Sequence, residues 1–180
     1  MPDSSARDNL TSLFERRMSD LGQQLADGQI ELGDFQIQMR QELRDVHALQ
    51  LVAAADGDKA NVVPDDWLRL GPELQKQYRY LEDFSHQIAD GGVSGGAIAN
   101  RASLYAGSGQ SSYWRQATGS AELPAYPGDG TSPCLGRCGC SWRDNGDGSY
   151  SWVRGKDDSC DVCIQREEEW ANYVPEKVAA

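Results

Sequence analysis

The sequence predicts a mainly α-helical chain: a helical body over residues 1–120, then a small cysteine-rich β-hairpin module over 121–180 closed by a short terminal helix. Three observations predict it. Apolar residues recur at three- and four-residue steps through the first two thirds of the chain. Near residue 120 the composition shifts to proline, glycine and small polar residues. All five cysteines fall between Cys134 and Cys163.

The first helical stripe is Leu10, Leu13, Phe14, Met18, Leu21 and Leu25, and "ADGQ" ends it at Gly28. The second is Phe35, Met39, Leu43, Val46 and Leu49, ending at "DGDKAN". A third helix opens at Pro64 and the acids behind it, where a missing amide is harmless and negative charge meets the helix dipole. Its stripe is Leu74, Tyr78, Leu81, Phe84 and Ile88, and Gly71-Pro72 is expected to divide a short helix from the longer one. A fourth segment, from Ala97 to about Gln116, carries Ile98, Leu104, Tyr105, Tyr113 and Trp114, and the glycine-rich "GSGQSS" predicts a kink or a split. Beyond residue 120, "CGCSW" and "SYSWVRG" read as short strands around "RDNGDG", whose Asn-Gly and Asp-Gly pairs suit a tight hairpin turn. A last helix is expected from Ile164 to about Tyr173, before Pro175.

Bulk properties narrow the function. With 180 residues, 39% of them apolar, the chain is long enough for one domain with a core, or one domain and a satellite. A net charge of −11 and the lack of a Lys/Arg run argue against a general binder of nucleic-acid backbones, which gains affinity by counterion release. No run approaches the ~20 apolar residues of a membrane span, and the N-terminus lacks a basic-then-apolar signal pattern. The expectation is therefore a protein made and kept in a cytosol, where thiols are held reduced and clustered cysteines point to metal or catalysis rather than disulfides.

The cysteines fit a zinc-ribbon-like site. Cys160-x-x-Cys163 offers two thiolates from one turn, and the hairpin returns Cys134, Cys138 and Cys140 beside it. Tetrahedral zinc takes four such soft ligands. Cys138 and Cys140, two apart, share a face on a strand, so the preferred set is Cys138, Cys140, Cys160 and Cys163, with Cys134 as the extra candidate. A segment poor in aliphatic residues has little core of its own, and a bound ion would staple it. "RDNGDGS" lacks the acids that a calcium loop needs, and "GDGTS" lacks a phosphate-loop lysine, so both read as turns. The histidines, His47 and His86, sit on predicted helices without a partner in sequence, and no catalytic residue is assigned.

The order "FQIQMRQELRDVHALQ", "QYRYLEDFSHQI", "NRASLYAGSGQSSYWR", "LPAYPGDGTSPCLGRCGCSW" and "CDVCIQREEEW" resembles the minor head, or head morphogenesis, proteins encoded beside portal and capsid genes in tailed bacteriophages. The resemblance covers the chain from about residue 30 and is most specific in "YPGDGTSPC", "CGCSW" and the closing CxxC. Relatives of the Mu type place the CxxC before a His-x-x-Cys-x-Cys group. Here the order is inverted, and Cys134 stands where a histidine is expected. The resemblance implies a virion structural role rather than an enzyme. The expected partners are portal or major capsid protein, with several copies in each virion head and no nucleic-acid or membrane partner. Tyr113, Trp114, Leu123 and Tyr126, where body meets module, are the expected docking anchors, the alternative being that they glue the two parts together. Rival readings are a zinc-ribbon nucleic-acid regulator, which the acidic "KDDSCD" and "REEE" oppose, and a cysteine hydrolase of head maturation.

Overall fold

The computed structural model describes residues 4–119, 123–129, 131–133, 139–155 and 160–175. Helices α1 (Ser4–Ala26), α2 (Leu32–Ala54), α3 (Pro64–Ala89), α4 (Gly95–Leu104) and α5 (Gln110–Ala117) form the body. Strands β1 (Ser141–Asp144) and β2 (Tyr150–Val153), then α6 (Asp161–Glu169), form the C-terminal module. The chain is mainly helical with one small hairpin and a short terminal helix, the class the sequence predicts.

The body is built on the expected stripes. Phe14, Met18, Phe35, Met39, Leu43, Val46, Leu81 and Phe84 meet in one core, with Leu10, Leu25, Leu74, Tyr78 and Ile88 packed at its margin. Helix α1 lies along α4 and α2. Its approach to α4 is close at Gly22, where a Cβ would stand 2.6 Å from Ala99 Cα. Two stripe residues fall outside: Leu13 and Leu49 are exposed, at the edges of their apolar faces.

Helix α3 runs unbroken through Gly71-Pro72, against the expected division. Pro72 removes the donor that Leu68's carbonyl would use. Leu68, Gly71 and Pro72 all face solvent, so water is available to that carbonyl. Leu70 and Leu74, on the inner side, pack against a smaller core with Leu51, Ala55 and Val62 and keep the helix continuous. The fourth segment is split as expected: Tyr105–Gly109 is a 3₁₀ turn between α4 and α5. The tight turn is needed because Gly109 meets α2, where a Cβ would stand 2.9 Å from Val46 Cγ2.

The hairpin pairs Ser141 with Val153 and Trp142 with Trp152, antiparallel. Its connection is the five residues Asn145–Ser149 rather than a two-residue turn. Gly146 and Gly148 take the positive φ, at 82° and 87°. Asp144 and Asp147 each accept a backbone N–H two residues on, from Gly146 and Ser149, so the acids fold the loop on themselves. Helix α6 ends at Glu169, short of the expected Tyr173. The chain then turns so that Tyr173 exchanges two backbone bonds with Tyr150, covering the outer edge of β2.

Candidate metal centre and its setting

Cys160 is the N-cap of α6, in an extended conformation (φ −67°, ψ 157°), and its carbonyl accepts the N–H groups of Cys163 (2.8 Å) and Ile164 (3.1 Å). That turn carries Cys163 onto the inner face of the helix, fully buried, while Cys160 stays half-buried. Cys140, buried just ahead of β1, joins Cys160 and Cys163 in one apolar cluster. Cys134 and Cys138 lie outside the described residues. Among the described residues, no group of three or more His, Cys, Asp or Glu side chains is arranged to hold a metal ion. Two thiols from one turn nonetheless fit half of a soft-metal site in chemistry and in spacing.

The module has a core that sequence reasoning missed. Trp142 meets Trp152 edge-on at 5.3 Å, Trp170 stacks on Trp142 at 5.7 Å, and Tyr173 lies 6.3 Å from Trp142. The Arg166 guanidinium sits 5.2 Å from both the Trp152 and Trp170 rings and donates to Thr131 Oγ1 at 2.7 Å. The signal was present as five aromatic residues at 142, 150, 152, 170 and 173. Four-residue strands are too short to show a period that says they converge.

The four expected docking anchors are internal. Tyr113, Trp114, Leu123 and Tyr126 are between 1% and 7% exposed and belong to the same cluster as Cys140, Trp142, Trp152 and Cys163. Their burial corrects the expectation of exposed anchors and supports the alternative: they glue body to module. The keystone of that seam is the segment 123–129. Tyr126 N–H donates to Asp129 Oδ2 (2.8 Å), and Thr131 donates its N–H and hydroxyl to Asp129 Oδ1. Lys76 of α3 donates to the Asp129 carbonyl at 2.6 Å, and Arg115 of α5 covers the Tyr126 ring at 4.4 Å while pairing with Glu73. Trp142 Nε1 donates to the Ala125 carbonyl at 2.9 Å. Residues 126–129 thus form a docked corner organised by Asp129 as an acceptor.

His47 lies in the body, fully buried between Ser112 Oγ (2.7 Å from Nδ1) and Ser108 Oγ (3.1 Å from Nε2). Ser108 donates to the Tyr105 carbonyl, so its oxygen accepts from Nε2–H, and Ser112 donates to Nδ1. Burial pulls the imidazole down to about 4, leaving it neutral. A serine beside a histidine suggests a nucleophile, but Ser112 and His47 are both closed off from solvent. The pair satisfies core polar groups. His86 is exposed near the end of α3. No helix among the described residues is long and apolar enough to cross a membrane. No protein-family model matches the chain, nor does any curated protein or solved structure.

Proposed function

We propose that the protein is a structural component of a tailed-phage head, a minor head protein that docks on portal or major capsid protein in several copies, with zinc held at its cysteine module. The observation that carries the reading is the C-terminal motif order, "YPGDG", "CGCSW" and a closing CxxC, whose described residues pack together against the helical body. There Gly128, Trp142 and the Cys160 turn each have a packing role, so the resembling motifs coincide with the residues that build the module. Zinc would be held by cysteine thiolates, Cys160 and Cys163 among them, and supplies a structural cross-link rather than chemistry on a substrate.

A contact with a head protein falls to the exterior, since the aromatic seam is internal. Ile37, Leu68 and Val63 are the most exposed large apolar side chains of the body, at 66%, 74% and 55%. A net charge of −11 favours protein partners over DNA. The test is recovery of the protein with phage heads, by pull-down from infected-cell lysate and mass spectrometry of purified particles, beside a salt-titrated DNA shift assay. Co-purification with portal or capsid protein and no measurable DNA binding at physiological salt are expected. Tight, steeply salt-dependent DNA binding with no head protein recovered refutes the reading.

A further inference from the structure

We propose that the cleft between α3, α5 and segment 123–129 is a binding site for the free carboxylate end of a peptide. The proposal depends neither on the phage-head reading nor on zinc.

The cleft has a volume of about 420 Å³, within the range of sites that hold small ligands. Glu73 and Lys76 of α3 and Arg115 of α5 line one side, and Pro124, Asp129 and Thr131 line the other. Leu123, Ala125 and Tyr126 complete the wall but are at most 7% exposed, so the surface open to a ligand is mostly polar. The two carboxylates and two cations of the wall cancel, in a chain whose net charge is −11.

Hydrogen-bond accounting decides the sign of the ligand. The Asp129 carboxylate is spent on its own corner, with Oδ2 accepting from Tyr126 N–H and Oδ1 from both donors of Thr131. Glu73 Oε1 accepts from Arg115 Nη2 at 2.9 Å. The cations are far less committed. An ammonium carries three donors and a guanidinium five. Lys76 donates to the Asp129 carbonyl at 2.6 Å, and Arg115 donates to Glu73. Arg115 Nε is buried without a hydrogen-bond partner. The Tyr126 ring at 4.4 Å and the Glu73 pair hold that guanidinium in place, so its remaining donors are already positioned. The spare capacity of the cleft is for an anion.

Charge and volume narrow the anion. A dianion such as phosphate meets Glu73, Asp129 and the acidic chain around them, and like-charge juxtaposition is costly. A monoanionic carboxylate avoids most of that repulsion and still takes charge-assisted bonds from Lys76 and Arg115. A carboxylate alone fills little of the cleft. The polar wall beyond it suits peptide amides, which need hydrogen-bond partners, better than an aliphatic chain.

The test titrates the isotope-labelled full chain with N-acetyl-triglycine, its carboxy-terminal amide, acetate and inorganic phosphate, following backbone amide shifts by NMR. The peptide acid is expected to bind at about 1 mM, with shifts centred on residues 73–76, 115 and 123–129. The amide and acetate are each expected to bind about ten-fold more weakly. Lys76→Arg should keep the affinity, and Lys76→Met should reduce it to that of the amide, both with wild-type circular dichroism. Equal binding of acid and amide, or no saturable shift, overturns the proposal. Acetate or phosphate binding as tightly as the peptide acid leaves an adventitious ion only and overturns the peptide class. Undiminished affinity in folded Lys76→Met moves the site elsewhere and overturns the assignment. Should Lys76→Met misfold, the wild-type shift map decides, and shifts centred outside those residues overturn it.

Discussion

Gly128→Ala is expected to loosen the seam between body and module, and its cost follows from two separable sources. Gly128 has φ +80°, a conformation that costs an L-residue about 1–2 kcal/mol. Its Cβ position also overlaps the Gly107 carbonyl oxygen and lies 3.1 Å from the Gly107 carbon. Backbone at 107 belongs to the 3₁₀ turn packed on α1 and α2, so it has no rotamer by which to retreat. Overpacking of that kind costs about 1–3 kcal/mol. The sum is about 2–5 kcal/mol. Gly119→Ala isolates the first source, because Gly119 has φ +62° but nothing within 4 Å of its Cβ position. Urea unfolding followed by tryptophan fluorescence and by far-ultraviolet circular dichroism gives both values. Fluorescence reports mainly on the module and seam, where Trp114, Trp142, Trp152 and Trp170 lie, and dichroism reports on the helices. A Gly128→Ala cost within about 0.5 kcal/mol of the Gly119→Ala cost would refute the claim that segment 123–129 is pressed onto the body.

Gly22→Ala gains about 1 kcal/mol of helix propensity but forces α1 from Ala99 of α4, and a net loss of about 1–2 kcal/mol in chemical denaturation is expected. His47 has a folded value of about 4 against an ordinary 6.5, so protonation favours the unfolded chain: its contribution is intact above pH 6.5 and lost as pH falls toward 4. The gap corresponds to about 3 kcal/mol, and His47→Leu, although less stable at neutral pH for leaving Ser112 unpartnered, should flatten that limb of a stability–pH profile. Trp152→Ala removes a fully buried indole from the module and should cost about 3–5 kcal/mol, read by the same urea titration; a cost under 1 kcal/mol counts against the aromatic core.

What the sequence made legible is what has a period. Phe35, Met39, Leu43 and Val46 repeat at helical steps over three turns, and all four are completely buried. Pro72 misled because a local breaker signal says nothing of the packing on either side, where Leu70 and Leu74 hold the helix together. The split at "GSGQSS" was legible as a break, yet not its reason, the contact of Gly109 with Val46. Long-range partners left no trace. His47 and Ser112 are 65 residues apart, Trp142 and Ala125 are 17 apart, and neither pair is marked by spacing or composition. Tyr113 and Tyr126 looked like exposed anchors because a change of composition reads as a linker, and linkers are exposed. Here the boundary residues are themselves core, since Asp129 and Gly128 fold the corner back onto the helices.

The aromatic core also changes what a bound metal would have to do. A module poor in aliphatic residues suggested that the ion supplies its fold, so that losing a CxxC thiolate would unravel everything after about residue 120. Trp142 and Trp152 are buried, Trp170 and Tyr173 pack on them, and Arg166 closes the group from α6. Large aromatic side chains bury about 150–250 Å² each, which is where this segment finds its apolar area. The same cluster continues into Tyr113, Trp114 and Ala54 of the body and takes in Cys140, Cys160 and Cys163 as small partners, so the hairpin and α6 are held mainly by aromatic packing. Cys160→Ser should therefore leave far-ultraviolet dichroism and tryptophan emission near wild type, while elemental analysis shows bound zinc reduced or lost. Loss of the tryptophan signal along with the zinc would show that the ion, and not the indole cluster, holds the module on the helices.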